Sequence, residues 1–208
     1  MRSSFCLLVA ALLAASDVMG EDGPPRLMSA GLSAAPWNVQ SGGIAAFDVS
    51  LDEKGTITRA DLVQDVAPYG GLLRDALPSW LFEPAIGDGR PVPSRVLVLG
   101  FFRPPVLNFA APEAPRYKDT TAPEEIPWPT AVVVPPHPPN VMGSGKVILE
   151  ADVSSRGAVT AVRVVSAATA FDSAASDTAR RWVFRPARRA GRAVESRVVL
   201  VFSFPAVS

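Results

Sequence analysis

Six arginines crowd into thirteen residues near the C-terminus: Arg180, Arg181, Arg185, Arg188, Arg189 and Arg192, in "ARRWVFRPARRAGR". Clustered guanidiniums pair with carboxylates or phosphates, so their chemistry is docking on an acidic protein or on the acidic part of the same chain. The plainer reading is a solvated face. Nucleic acid is set aside, because a chain with an export signal rarely meets it. The other chemistry-bearing residues are sparse. His137 is the only histidine and sits in "PPHPP"; Cys6 is the only cysteine. Neither has the neighbours that a metal site or a catalytic triad needs. Asp52 and Glu53 flank a predicted turn, Asp172 reads as a helix N-cap, and Asp177 reads as an exposed helix position. No phosphate loop, serine elbow or zinc spacing occurs. The sequence therefore offers no catalytic residue and no site for a metal or cofactor.

Net charge is zero over 208 residues, but it is unevenly placed. Gly143 to Ser208 holds ten Lys/Arg and five Asp/Glu, whereas Ser41 to Pro105 holds six and eight. The opening "MRSSFCLLVAALLAASDVMG" has one Arg and an apolar run of 11 residues from Phe5 to Ala15. That run is short of the ~20 residues that span a bilayer, so residues 1–20 are predicted to be a secretory signal. A retained inner-membrane anchor is the alternative. Cys6 lies ahead of most of the run, and a chain cleaved after it would carry no thiol.

One phrase is written twice. "WLFEPAIGDGRPVPSRV" from Trp80 and "WVFRPARRAGRAVESRV" from Trp182 share Trp-x-Phe-x-Pro-Ala-x3-Gly-Arg-x-Val-x-Ser-Arg-Val at an offset of 102 residues (182 − 80). Between Gly55 and Val98, 14 of 44 positions match at that offset without a gap. About 3 would match by chance, so an internal duplication is inferred.

Both copies show the same change of period. Val147, Leu149, Ala151 and Val153 alternate with polar or outward residues, as do Ala45, Phe47, Val49 and Leu51, which predicts strands with one buried face. A Gly turn and a second strand complete a hairpin. "FDSAASDTARRW" then predicts a helix with Ala175, Thr178, Ala179 and Trp182 on one stripe, halted by Pro186. A closing strand, "ESRVVLVFSF", follows the Gly191 turn. The first copy's helix carries Gly70, Gly71 and Pro78, so it is predicted to be short or kinked. The expected fold is α+β: two modules, 41–104 (degenerate) and 141–208, each a three-stranded antiparallel sheet with one covering helix. The segment 105–140 joins them as a proline-rich linker, with eleven prolines from Pro104 to Pro139. Its "TAVVV" has the makings of a docked edge strand. Trp80, Phe82, Trp182 and Phe184 read as core. Pro84, Gly89, Pro186 and Gly191 read as architectural.

The second copy resembles the C-terminal domain of TonB-type energy transducers. The resemblance rests on the hairpin "VSSRGAVTAVRVVSA", the helix ending in Ala-Arg-Arg-Trp, then Phe-x-Pro-Ala-x3-Gly-x-x-Val and a closing strand ending in Phe. It covers about Gly143 to Pro205, and more weakly Gly42 to Phe102. It implies a periplasmic protein-recognition module that takes an extended segment of an outer-membrane receptor or transporter, or of another periplasmic protein, onto its sheet edge. The edge implied is Arg197, Val198, Val199, Leu200, Val201, Phe202, Ser203 and Phe204, with Arg95 to Phe102 in the first copy; the arginine cluster would flank it. "VVLVFSF" is apolar on both faces, so the face away from the helix should meet a second sheet, the other copy or a homodimer partner. A structural reading stands against the recognition reading: the copies would satisfy each other, and the edge would be paired within the chain.

Overall fold

The structure, a computed structural model, describes residues 22–33, 42–104, 116–117 and 122–206. The predicted signal segment and part of the predicted linker lie outside the described residues. In chain order the strands are β1 (Arg26–Ser29), β2 (Gly43–Leu51), β3 (Ile57–Asp65), β4 (Leu81–Glu83), β5 (Ala85–Gly87), β6 (Arg90–Val92) and β7 (Ser94–Phe102). They continue as β8 (Trp128–Ala131), β9 (Gly145–Val153), β10 (Val159–Ser166), β11 (Val183–Arg185), β12 (Ala187–Arg189), β13 (Arg192–Val194) and β14 (Ser196–Phe204). Helix α1 (Tyr69–Ala76) follows β3, and α2 (Asp172–Ala179) follows β10. The mixture of a dominant sheet and two short helices is α+β.

The two halves do not stand apart. They share one six-stranded sheet in the order β10-β9-β14-β7-β2-β3. Within each half the strands are antiparallel. At the centre β14 and β7 run parallel, from Val198 opposite Leu97 to Ser203 opposite Phe102. Two similar units joined through parallel neighbours present opposite faces to one side, and the core follows that rule. On one face α2 packs with Leu97, Leu99, Leu149, Leu200 and Phe202. On the other, α1 packs with Phe47, Val96, Val98, Ile148, Val199 and Val201. Each helix thus covers part of the other half's closing strand, which is why "VVLVFSF" and "RVLVLGFF" are apolar on both faces.

This sharing changes several expectations. Strands β2 and β9 are buried on both faces: Ala46 and Ile148 are enclosed, and even Asp48 (2% exposed) and Glu150 (3%) are interior. Helix α2 ends at Ala179, so Pro186 does not halt it; Pro186 separates β11 from β12 instead. Phe171 holds the N-cap position, and the Asp172 carboxylate accepts the Ala168 N–H at 2.9 Å. Helix α1 stops at Ala76, and Pro78 sits in the 3-10 turn Leu77–Ser79 that follows.

The 102-residue offset extends upstream of the predicted modules. β1 pairs β4 with Arg26 opposite Glu83, and β8 pairs β11 with Trp128 opposite Arg185, each partner shifted by 102. Trp80 Nε1 donates to Gly31 O and Trp182 Nε1 to Val133 O, both at 2.8 Å. The region predicted as linker therefore contains an ordered strand, with Ile126 and Trp128 fully buried. Pro127 and Pro129 lie beside them without disrupting it, since a short edge strand tolerates a missing donor.

Candidate partner-binding edge

The implied edge strand, Arg197 to Phe204, is not an edge. β14 is hydrogen-bonded antiparallel to β9, from Ser196 opposite Val153 to Phe204 opposite Gly145, and parallel to β7 on its other side. Val198, Val199, Leu200, Val201, Phe202 and Phe204 are at most 1% exposed. Arg95 to Phe102 is likewise interior, between β2 and β14. The main-chain groups that a three-stranded module would leave open are consumed by the other copy.

The outermost strands of the shared sheet are β3 and β10, and they differ in chemistry. β3 carries Arg59, Asp61, Gln64 and Asp65. Arg59 Nε pairs with Asp61 at 2.7 Å, Asp65 accepts the Gly70 N–H at 2.9 Å, and Gln64 Nε2 donates to Arg116 O at 3.0 Å. β10 has one charge, Arg163, among Val159, Thr160, Ala161, Val162, Val164, Val165 and Ser166. That charge is paired: its guanidinium donates to Glu150 Oε2 at 2.5 Å and to Leu27 O. The Leu27 N–H in turn donates to Glu150 Oε1. Glu150 in the second half thus anchors β1 of the first half across the face of β10.

At the matching position of the first half (150 − 102 = 48), Asp48 is paired with Arg95, whose other nitrogen reaches Glu125 at 3.3 Å. The hydrogen bond that Arg95 donates to Asp48 raises the Arg95 pKa and fixes the cation. Sequence reading placed acidic residues on turns and exposed positions and so missed both buried acids. A signal existed, because an acid recurs at one repeat position inside an otherwise apolar strand.

The arginine cluster is spread over the end of α2, β11 and the β12–β13 ribbon. Arg180 pairs with Asp177 at 3.0 Å on the exposed end of α2. Arg185 donates to the carbonyls of Ala122 and Pro123, and Arg188 Nη1 donates to Gly191 O. Arg181, Arg189 and Arg192 remain exposed. Trp80, Phe82, Trp182 and Phe184 are buried, while Gly89 and Gly191 take positive φ in the two-residue turns of the β5–β6 and β12–β13 ribbons. Between those ribbons lies a polar cleft of about 780 Å³, reached by Asp88, Arg95, Glu125, Arg189 and Arg197. His137 is buried against Phe171 and Phe204, its ring nitrogens 3.2 and 3.3 Å from the Pro138 and Pro205 carbonyls. Among the described residues no group of three His, Cys, Asp or Glu is placed to hold a metal ion.

Hairpin, helix, ribbon and closing strand recur in each half and together make a small α+β unit. Residues 143–205 match the family model described as Gram-negative bacterial TonB protein C-terminal, the stretch on which the sequence resemblance rested. No curated protein matches the chain.

Proposed function

We propose that this chain is an exported recognition module of the periplasm that binds an extended segment of another protein by adding it as a strand to its sheet, in a process linked to outer-membrane transport. The observation that carries this reading is the match of residues 143–205 to a family of protein-interaction domains. Strand addition is supported by the sheet order, in which, among the described residues, β3 and β10 each pair with one strand only; an edge of that kind invites a further strand. The partner is a periplasm-facing segment of an outer-membrane receptor or transporter, or of another periplasmic protein.

The test is amide hydrogen exchange of the protein with overlapping peptides from such segments. A peptide that slows exchange along an outer strand of the sheet supports recognition. If millimolar concentrations of every peptide leave both outer strands unchanged, the recognition reading fails.

A second reading, a structural tandem without a strand ligand, has its own support: β14 is already satisfied on both sides. It predicts the second outcome. Among the described residues no helix is long and apolar enough to cross a membrane. Whether residues 1–20 anchor the protein is decided by membrane fractionation; a cleaved chain partitions to the soluble fraction.

A further inference from the structure

We infer that β10 is the strand-accepting edge, and that its partner is a single extended segment alternating apolar and polar residues. This rests on the recognition reading above and assigns it a place and a chemistry.

Three observations converge. First, the inner strands are closed: β9, β14, β7 and β2 are each paired on both sides, which leaves β10 and β3. Second, β3 is guarded. Charged side chains on an edge oppose strand addition, because an incoming strand must strip their water. β3 carries three charged residues, and its Gln64 is held by the carbonyl of Arg116. β10 carries one, paired with Glu150, so an incoming strand meets one charged side chain there against three on β3. Third, β10 is flanked on both faces of the sheet. Helix α2 packs over β10 and β9 on one face. On the other, β1 crosses β10 and is fastened by the Leu27–Glu150 and Leu27–Arg163 hydrogen bonds.

The flanking elements select the occupant. α2 and β1 stand against β10 on the two faces of the sheet. A second copy of this chain would bring its own α2 and β1 against the same edge, so a lone segment is favoured over a homodimer. The two faces of β10 set the pattern: Val162 and Val164 lie toward the α2 core, while Arg163 lies toward β1. A partner therefore presents apolar side chains beside Val162 and Val164 and polar ones beside Arg163. Because β1 belongs to the first half and β10 to the second, the site is completed only where the halves join; neither half has both walls.

The test titrates isotopically labelled full chain with a blocked nonapeptide alternating valine and threonine, with a same-composition peptide in blocks as control. Expected is slowed exchange over Val159–Ser166 with the alternating peptide only. Affinity should fall about tenfold or more in Thr160→Lys/Ala161→Lys, which alters two exposed positions, and stay within twofold in Thr58→Lys/Leu62→Lys on β3. Three results overturn the inference while leaving recognition standing: protection on β3, equal binding of the control peptide, or β10 protection that rises with protein concentration without peptide. Absence of binding by this peptide and by every transporter-derived peptide removes the recognition reading itself.

Discussion

The backbone N–H of Leu27 donates to the carboxylate of Glu150, 123 residues away, and joins the leading strand of one half to the sheet of the other. Arg163 closes the triangle by donating to both Glu150 and the Leu27 carbonyl. The Glu150 side chain is 4% exposed and that of Arg163 is 37% exposed. The carboxylate is therefore the group that suffers if the partnership breaks.

Arg163→Met should destabilise the protein by roughly 2 kcal/mol, below the range for a fully buried pair because the guanidinium is partly solvated. Adding Glu150→Gln should recover part of that loss, since the buried charge is then gone. Urea unfolding of the single and double variants measures both.

Two glycine-to-alanine changes should act in opposite directions. Gly157 has φ +84°, and a Cβ there would stand 1.8 Å from Phe184 O, where β11 crosses the hairpin turn. Gly157→Ala should cost on the order of 2 kcal/mol or more. Gly71 in α1 has open space around a Cβ, so Gly71→Ala should add about 0.5–1 kcal/mol. Thermal melts of the two variants should shift to opposite sides of the parent.

The two ribbons turn alike but not at equal strain. Asp88 and Ala190 hold the first turn position at φ 52° and 49°, each followed by glycine. Asp-Gly suits this turn, and alanine does not. Ala190→Asn should stabilise by about 1 kcal/mol, measured by urea unfolding.

Acid should loosen one hairpin turn and spare its counterpart. The Asp52 carboxylate accepts N–H groups from Thr56 at 2.8 Å and Lys54 at 2.9 Å, and the Thr56 bond leads in lowering its pKa. A depressed folded pKa means that the stabilisation is present above the unfolded value and is lost as pH falls through the folded one. The equivalent turn uses the Ser154 hydroxyl, which accepts from Ala158 at 3.2 Å and does not titrate. Amide exchange should quicken at Lys54 and Thr56 in that acid window, relative to Arg156 and Ala158.

Much of each half was readable from periodicity: hairpin, helix, closing strand and the doubled phrase around Trp80 and Trp182. Local pattern could not show where the halves meet. "VVLVFSF" declares two buried faces, but whether its main chain is also paired on both sides depends on a neighbour 102 residues away. The short β1 strand was obscured by flanking prolines, which argue against strands unless a specific partner lies alongside; β8 overlaps the edge strand expected in "TAVVV" at Thr130 and Ala131 but starts earlier, at Trp128. The buried Glu150 was hidden for a related reason. A carboxylate on a strand reads as solvent-facing until Arg163 and the Leu27 amide are brought to it.

The central claim is that β14 is an interior strand paired in parallel with β7. The direct measurement is nuclear Overhauser contact between backbone protons of these strands in the labelled full chain, with amide exchange of Val198 to Ser203. The account predicts contacts around Leu200 and Leu99 in the parallel register, and protection limited only by global unfolding. Rapid exchange of those amides without contacts between the strands would contradict it, and would return Arg197–Phe204 to the role of an open edge.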